Sequence, residues 1–251
     1  MTWPLEAVWE QSVALLPGLT AELQPEIDST NSELMRRARA GQFDPVVLVA
    51  EQQSAGRGRL GRAWHSDPGA SLTFSVGRVL APHSWWGLSL AVGVAIAEAL
   101  HPSVRLKWPN DLWVGDTKLG GILIETASAG PDAGARYAIV GVGINVQPRP
   151  AEGLSTPPAI LQQLRPGIDA GAALLAVVPP LVAALQRFEA EGFAPFRDAF
   201  ARRDALAGRP VRLSDGTAGT AQGVDGQGAL LVHTAAGPVA ITSSEVSVRP
   251  A

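Results

Sequence analysis

Residues 104–146 contain four strand-length runs: VRLKWP (104–109), DLWV (111–114), KLGGILIET (118–126) and YAIVGVGINV (137–146). Gly115-Asp116 supplies a tight turn between the second and third. SAGPDAGA (128–135) is a loop without large apolar side chains. Strands that follow one another across short turns predict an α+β fold: a largely antiparallel or mixed sheet with helices on one side. PVVLVAE (45–51) and SLTFSVGRVL (71–80) add two more strands upstream. STNSELMRRARAG (29–41) predicts a helix. Ser29 or Thr30 caps it, Glu33 stands three residues after Thr30 as in a capping box, and Gly41 ends it. Leu88, Val92, Ala95 and Ala99 mark a second helix within 85–101, stopped by Pro102. After a Pro-rich crossing segment at 147–158, two further helices are expected at 170–190 and 193–206.

From Gly208 the texture changes to short alternating runs, PVRLS, TAGTAQGV, GALLVHT, PVAIT and EVSVRP, punctuated by Asp215-Gly216, Asp225-Gly226 and Ala236-Gly237. So few residues bury too little to stand alone, so they predict a small β-barrel docked on the main domain. The expected division is 1–206 and 207–251.

Bulk properties narrow the function. A net charge of −3 gives no overall basic field for nucleic acid or membrane. The 27 residues before Asp28 are too few for a helix-turn-helix module. Cysteine is absent, which removes disulfides, thiolate zinc sites and a cysteine nucleophile. The N-terminus lacks the basic and apolar regions of a secretory signal. The most apolar run, 88–100, is short of a membrane span and contains Glu98. The expectation is a cytoplasmic protein with neither nucleic acid nor membrane as partner.

GRGRLGR (56–62) spells G-x-G-x-x-G, yet it fails as a dinucleotide fingerprint. Pro68 and Gly69 oppose the helix that should follow, and no acidic residue occurs from Pro68 to Ala97 to hold a ribose. It also fails as a P-loop, because Arg62-Ala63 stands where Lys and Ser/Thr are needed. The reading that fits is a mobile cover. Glycines let backbone close over a ligand, and arginines offer forked donors to phosphate oxygens. A second signal is the lysine count. Of 20 basic residues only Lys107 and Lys118 are lysine, and both fall in KWPNDLWVGDTK. A compact ammonium fits beside a phosphate or carboxylate where a planar guanidinium does not.

EQQSAGRGRLGRAW (51–64), KWPNDLWVGDTKLGGILIE (107–125), GVGINV (141–146) and DSTN (28–31) together resemble the biotin protein ligases in a short form without an N-terminal DNA-binding domain. The resemblance spans roughly 28–250, since GRPVRLSDG and DGQGALLV match the family's SH3-like C-terminal domain. It implies a catalytic domain similar to class II aminoacyl-tRNA synthetases. It also implies two-step chemistry: biotin and MgATP give biotinyl-5′-AMP and pyrophosphate, then a lysine of a biotin carboxyl carrier protein takes the biotinyl group. The implied catalytic residues are Lys118, Arg59, Asp111 and Lys107, with Asp111 also the candidate Mg2+ ligand. For biotin it implies Ser29, Thr30, Asn31, Gln52, Gly56, Arg57, Gly58, Arg59, Lys118, Gly121, Gly141 and Gly143. For ATP and the adenylate it implies Arg57, Arg59, Trp64, Lys107, Asn110, Lys118 and Asn145. Dimers are common in the family, although no segment here shows an interface on its own. The readings it competes with are a lipoate–protein ligase, a biotin-sensing DNA-binding regulator and a passive biotin-binding protein.

Overall fold

The computed structural model describes residues 2–130, 134–148, 158–242 and 248–250. A seven-stranded mixed sheet runs in the order β1 (Thr20–Ile27), β2 (Val46–Gln53), β3 (Ser71–Leu80), β7 (Arg136–Asn145), β6 (Thr117–Ser128), β5 (Asp111–Val114), β4 (Arg105–Lys107). Every neighbouring pair is antiparallel except β1 with β2, whose connection carries α2 (Thr30–Arg39) and is therefore long enough for a parallel crossover. Neither β1 nor the helix before it, α1 (Leu5–Val13), was anticipated from the sequence. β1 reads TAELQPEI, a polar run containing Pro25, which is tolerated because the strand lies at the sheet edge.

Alternation along the strands sorts side chains onto two faces. Val47 and Val49 of β2, with Ala138, Val140, Val142 and Ile144 of β7, join the main core. That core is closed by α1, α3 (Leu88–Leu100) and α5 (Ala170–Glu191). Val46, Leu48, Tyr137 and Ile139 point the other way and meet Leu34 and Ala38 of α2. Helices thus flank both faces, which corrects the one-sided expectation. α2 is short: its first turn reaches Gly141 through Asn31, and it leaves the continuation of its face, at Gly143, free of helix. The site lies there.

Local chemistry refined several boundaries. Ser29 caps α2 by accepting from the Ser32 amide at 3.4 Å. Glu33 makes no reciprocal capping bond and instead pairs with Arg36 at 2.8 Å and Arg37 at 3.0 Å. A short α4 (Leu161–Leu164) precedes α5. The helix expected at 193–206 is a 3-10 turn (Ala194–Phe196) followed by α6 (Arg197–Arg203). Among the described residues α5, not the 88–100 run, is the helix long and apolar enough to cross a membrane by length and composition. It is a core helix, with Leu174, Val177, Val178, Leu181 and Leu185 fully buried.

The second sheet runs β11 (Gly237–Ile241), β10 (Leu230–Thr234), β9 (Ala218–Val224), β8 (Pro210–Leu213), β12 (Val248–Pro250), all antiparallel. The expected Asp225-Gly226 turn is present, and Asp225 Oδ1 fixes it by accepting from the Gln227 and Ala229 amides. Val211, Leu213, Ala221, Leu230 and Val232 bury into the same core as the larger sheet. Two polar links seal the junction: Trp108 Nε1 donates to the Gly228 carbonyl at 3.0 Å, and Arg209 pairs with Asp116 at 2.5 Å. The fold is α+β with a small SH3-like C-terminal sheet. Most of the crossing segment at 147–158 and the beginning of EVSVRP lie outside the described residues.

Candidate active site

A cavity of about 160 Å³ opens on the helix-free part of the sheet. Its floor is glycine by necessity. A Cβ on Gly141 would collide with the Asn31 side chain, and one on Gly143 with the Trp64 ring. The two glycines are one step apart on the same face of β7, a separation of about 7 Å.

Near Gly141 the lining is polar and mutually hydrogen-bonded. Thr30 donates through its amide (2.8 Å) and hydroxyl (3.1 Å) to Gln53 Oε1. Ser75, fully buried beneath, bonds Thr30 Oγ1 at 2.6 Å and Asn31 Oδ1 at 2.7 Å. Asn31 Nδ2 donates to the Leu123 carbonyl and the Glu125 carboxylate. Ser29 also lines this part of the cavity.

Near Gly143 the lining is cationic. Lys118 Nζ sits 2.7 Å from Asp111 Oδ1, and Lys107 Nζ lies 3.8 Å from Asp111 Oδ2 and 5.1 Å from the centre of the Trp113 ring. Lys118 and Gly121 both line the cavity, although a three-residue spacing in a regular strand would put them on opposite faces. A β-bulge reconciles them: Leu112 pairs with Gly120 but Trp113 with Lys118, so Leu119 is the extra residue. Burial lowers the Lys107 pKa below the ordinary lysine value, and the Asp111 carboxylate works against that shift. Burial likewise lowers that of Arg59, with Asp111 again opposing. A guanidinium so shifted still carries its charge.

GRGRLGR forms a β-hairpin across this cavity. The Gly58 amide bonds the Arg62 carbonyl at 2.7 Å, the Trp64 amide bonds the Gly56 carbonyl at 2.8 Å, and Arg57 bridges Ala63. Leu60 (φ 58°) and Gly61 (φ 70°) occupy its tip with left-handed backbones, the signature of a type I′ turn. Arg59 Nη1 donates to Asn110 Oδ1 at 3.0 Å, and Asn110 Nδ2 to the Ile122 carbonyl at 2.7 Å. Arg57 pairs with Glu125 at 2.8 Å. The cover is therefore an organised hairpin with two arginine tethers, where the sequence suggested a loose glycine-hinged loop.

Most of the expected residues converge. Ser29, Thr30, Asn31, Arg57, Gly58, Arg59, Trp64, Lys107, Asn110, Asp111, Lys118, Gly121, Gly141 and Gly143 all line the cavity. Three do not. Gln52 is exposed and outside the cavity, and its neighbour Gln53 occupies the cavity wall, where Thr30 holds it. The helical register of α2 against β2, which selects Gln53, is not visible in the letters QQ. Gly56 lies under the Trp64 carbonyl, where a Cβ would clash, so it shapes the base of the hairpin. Asn145 is buried at the end of β7 and donates to the Lys118 carbonyl at 3.2 Å, bracing that strand. Ser75, Glu125 and Trp113 were missed: Ser75 and Glu125 act through contacts distant in sequence, and Trp113 through the β4–β5 pairing that brings it beside Lys107.

Five basic residues line the cavity (Arg57, Arg59, Arg62, Lys107, Lys118) against one acid, Asp111. Trp64, Leu60, Pro109 and Leu123 add apolar surface. Such a site suits an elongated ligand with an apolar body, a polar head fitting the Thr30–Gln53 cluster, and a polyanionic end. Among the described residues no group of three His, Asp or Glu is placed to cage a metal. Asp111 nevertheless fits a Mg2+ carried by nucleotide phosphates, since that ion typically takes only one or two protein carboxylates.

A seven-stranded mixed sheet with a cationic, hairpin-covered cavity and a docked SH3-like domain defines an adenylate-type ligase architecture. The biotin/lipoate A/B protein ligase family model matches residues 23–145, and the biotin protein ligase C-terminal domain model matches 207–249. The bifunctional ligase/repressor BirA of Escherichia coli is 37% identical over 238 residues, covering 89% of this chain and 72% of its own. The biotin–[acetyl-CoA-carboxylase] ligase of Paracoccus denitrificans is 33% identical, with 87% and 96% covered. The Aquifex aeolicus biotin protein ligase, solved in complex with biotin and ATP, superposes with a TM-score of 0.76 at 29% identity, covering 94% of this chain and all of that one. The chain belongs to the biotin protein ligase family.

Proposed function

We propose that the protein activates biotin with ATP to biotinyl-5′-AMP and transfers the biotinyl group to a lysine of a biotin carboxyl carrier protein. The observation that carries this reading is the Lys118–Asp111 pair standing beneath a hairpin that brings Arg59 over a five-cation cavity. In the first step a carboxylate oxygen of biotin attacks the α-phosphorus and pyrophosphate leaves. Bringing an anion to a polyanion requires fixed positive charge, which Lys118, Lys107 and Arg59 supply without reorganisation. Asp111 orients both lysines, and Mg2+ bound with the phosphates adds further charge neutralisation. Thr30, Ser29, Asn31 and Gln53 suit the ureido head as hydrogen-bonding partners, while Trp64 flanks the reacting end. In the second step the carrier's amine attacks the acyl carbon, AMP leaves, and the nitrogen loses a proton. Closure of the hairpin keeps water from the anhydride between the two steps.

The reading includes a cytoplasmic location, a carrier domain of a carboxylase as partner, and a division into catalytic (1–206) and C-terminal (207–251) parts. A homodimer also belongs to it. The names of the relatives support the carrier, and the two family matches support the division. Biotin-dependent exchange of labelled pyrophosphate into ATP tests the activity, with lipoate as the discriminating control. Binding without exchange would overturn the reading, and so would exchange that lipoate supports better than biotin. A gel-shift on the chain's own upstream DNA tests the expectation that nucleic acid is no partner.

A further inference from the structure

We infer that Glu125 is a positioning residue that ties the floor of the cavity to its covering hairpin; this rests on the reading above. One carboxylate on β6 holds both. It accepts from Arg57 Nη2 of the hairpin at 2.8 and 3.1 Å, and from Asn31 Nδ2 of the floor at 2.9 Å. Asn31 is locked in turn by the Ser75 hydroxyl at 2.7 Å and the Leu123 carbonyl at 3.2 Å. Glu125 therefore joins the wall that receives the polar head of the ligand to the arm that closes over the other end.

The two hairpin tethers differ in kind. Arg57 and Arg59 stand two apart on one hairpin strand and so share a side. Arg59 meets a neutral acceptor, Asn110, and has an Nη2 that is buried without a partner. That nitrogen is open to a ligand oxygen. Arg57 instead is committed to a carboxylate of the protein. The Arg57–Glu125 ion pair needs no ligand, so it holds the hairpin near its closed position before the adenylate forms. Loss of that pair weakens the hold on the hairpin, and closure then depends more on the ligand itself.

The test uses the full chain loaded with biotin and MgATP, desalted, and followed for labelled biotinyl-adenylate remaining on the protein. Glu125→Gln, Arg57→Gln and the double variant are compared with the unaltered chain for adenylate formation, retention and melting temperature. Glu125→Gln is expected to release adenylate about two- to five-fold faster, the size expected for losing a part-exposed ion pair, with formation slowed by less. Arg57→Gln lies on the hairpin, outside the packed sheet, and should do the same even if the β6 variant is less stable. The double variant should release no faster than Glu125→Gln alone, because the Arg57 contact is already lost in it. Retention equal to the unaltered chain in Arg57→Gln, or additive effects in the double variant, would overturn the inference. Absence of biotin-dependent exchange in the unaltered chain would instead overturn the functional reading, and this inference with it.

Discussion

Lys118 and Asp111 face each other at 2.7 Å from adjacent strands only because Leu119 is bulged out of the β5–β6 ladder. The bulge spends one residue of strand regularity to turn a lysine from the core face to the cavity. Lys118→Ala should therefore remove chemistry and little else. Adenylate formation is expected to fall by about 10²–10³-fold, as when a preorganised charge is removed from a transition state. Stability should change by under about 1 kcal/mol, since the side chain is nearly half exposed and its ion pair is screened. Pyrophosphate exchange and thermal melting, measured together, check both.

Arg59 reaches across the cavity to Asn110, and its removal should separate making the adenylate from keeping it. Arg59→Gly is expected to form biotinyl-AMP and release it, so that bystander proteins in the same tube become labelled at lysine. Tight retention in that variant would contradict the role given to the hairpin.

Lys107 is the buried cation of the pair, and its lowered pKa has a thermodynamic consequence. Below its folded-state pKa both folded and unfolded chains hold the proton. Between that value and the ordinary 10.5 the unfolded chain binds more, so stability from this group rises with pH across the window. Lys107→Met should abolish that rise and melt no lower than the parent at neutral pH, because it removes a desolvated charge. Exchange activity should nonetheless drop steeply. A melting series from pH 7 to pH 10.5, paired with the exchange assay, tests the opposition of stability and function.

Gly143→Ala adds a single methyl where the Trp64 ring already lies. The ring must move, at a cost of about 1–3 kcal/mol typical of overpacking. KM for ATP should rise more than KM for biotin, since the displaced ring belongs to the cationic end while Asn31 at Gly141 is untouched. A uniform rise in both would place Trp64 elsewhere in recognition.

Much of this was readable in the letters. The four runs at 104–146 are strands, and the Arg-bearing glycine loop, both lysines and Asp111 meet at one cavity. What was not readable has a common physical cause. β1 is a polar edge strand that owes its state to pairing with β2, not to its own pattern. Regular alternation from Val46 and Leu48 would turn Gln52 to the cavity side, yet Gln53 lines the cavity because Thr30 donates to its Oε1, a contact that the strand pattern does not announce. Glu125 and Ser75 reveal themselves only through partners 44 to 94 residues away. Loops with unusual composition announced themselves, while roles fixed by register did not.

β7 is aliphatic on one face, through Val140, Val142 and Ile144, and bare on the other at Gly141 and Gly143. Only the Asn31 and Trp64 side chains, seated directly on that backbone, stand between the cavity and the hydrophobic interior, with no room for a Cβ beneath them. A change of one methylene at Val142 would shift the chamber wall itself. Selectivity in this scaffold must then be tuned from the rim, where Gln53, Trp64 and the hairpin sit, because that wall has no room for adjustment that the interior would not feel.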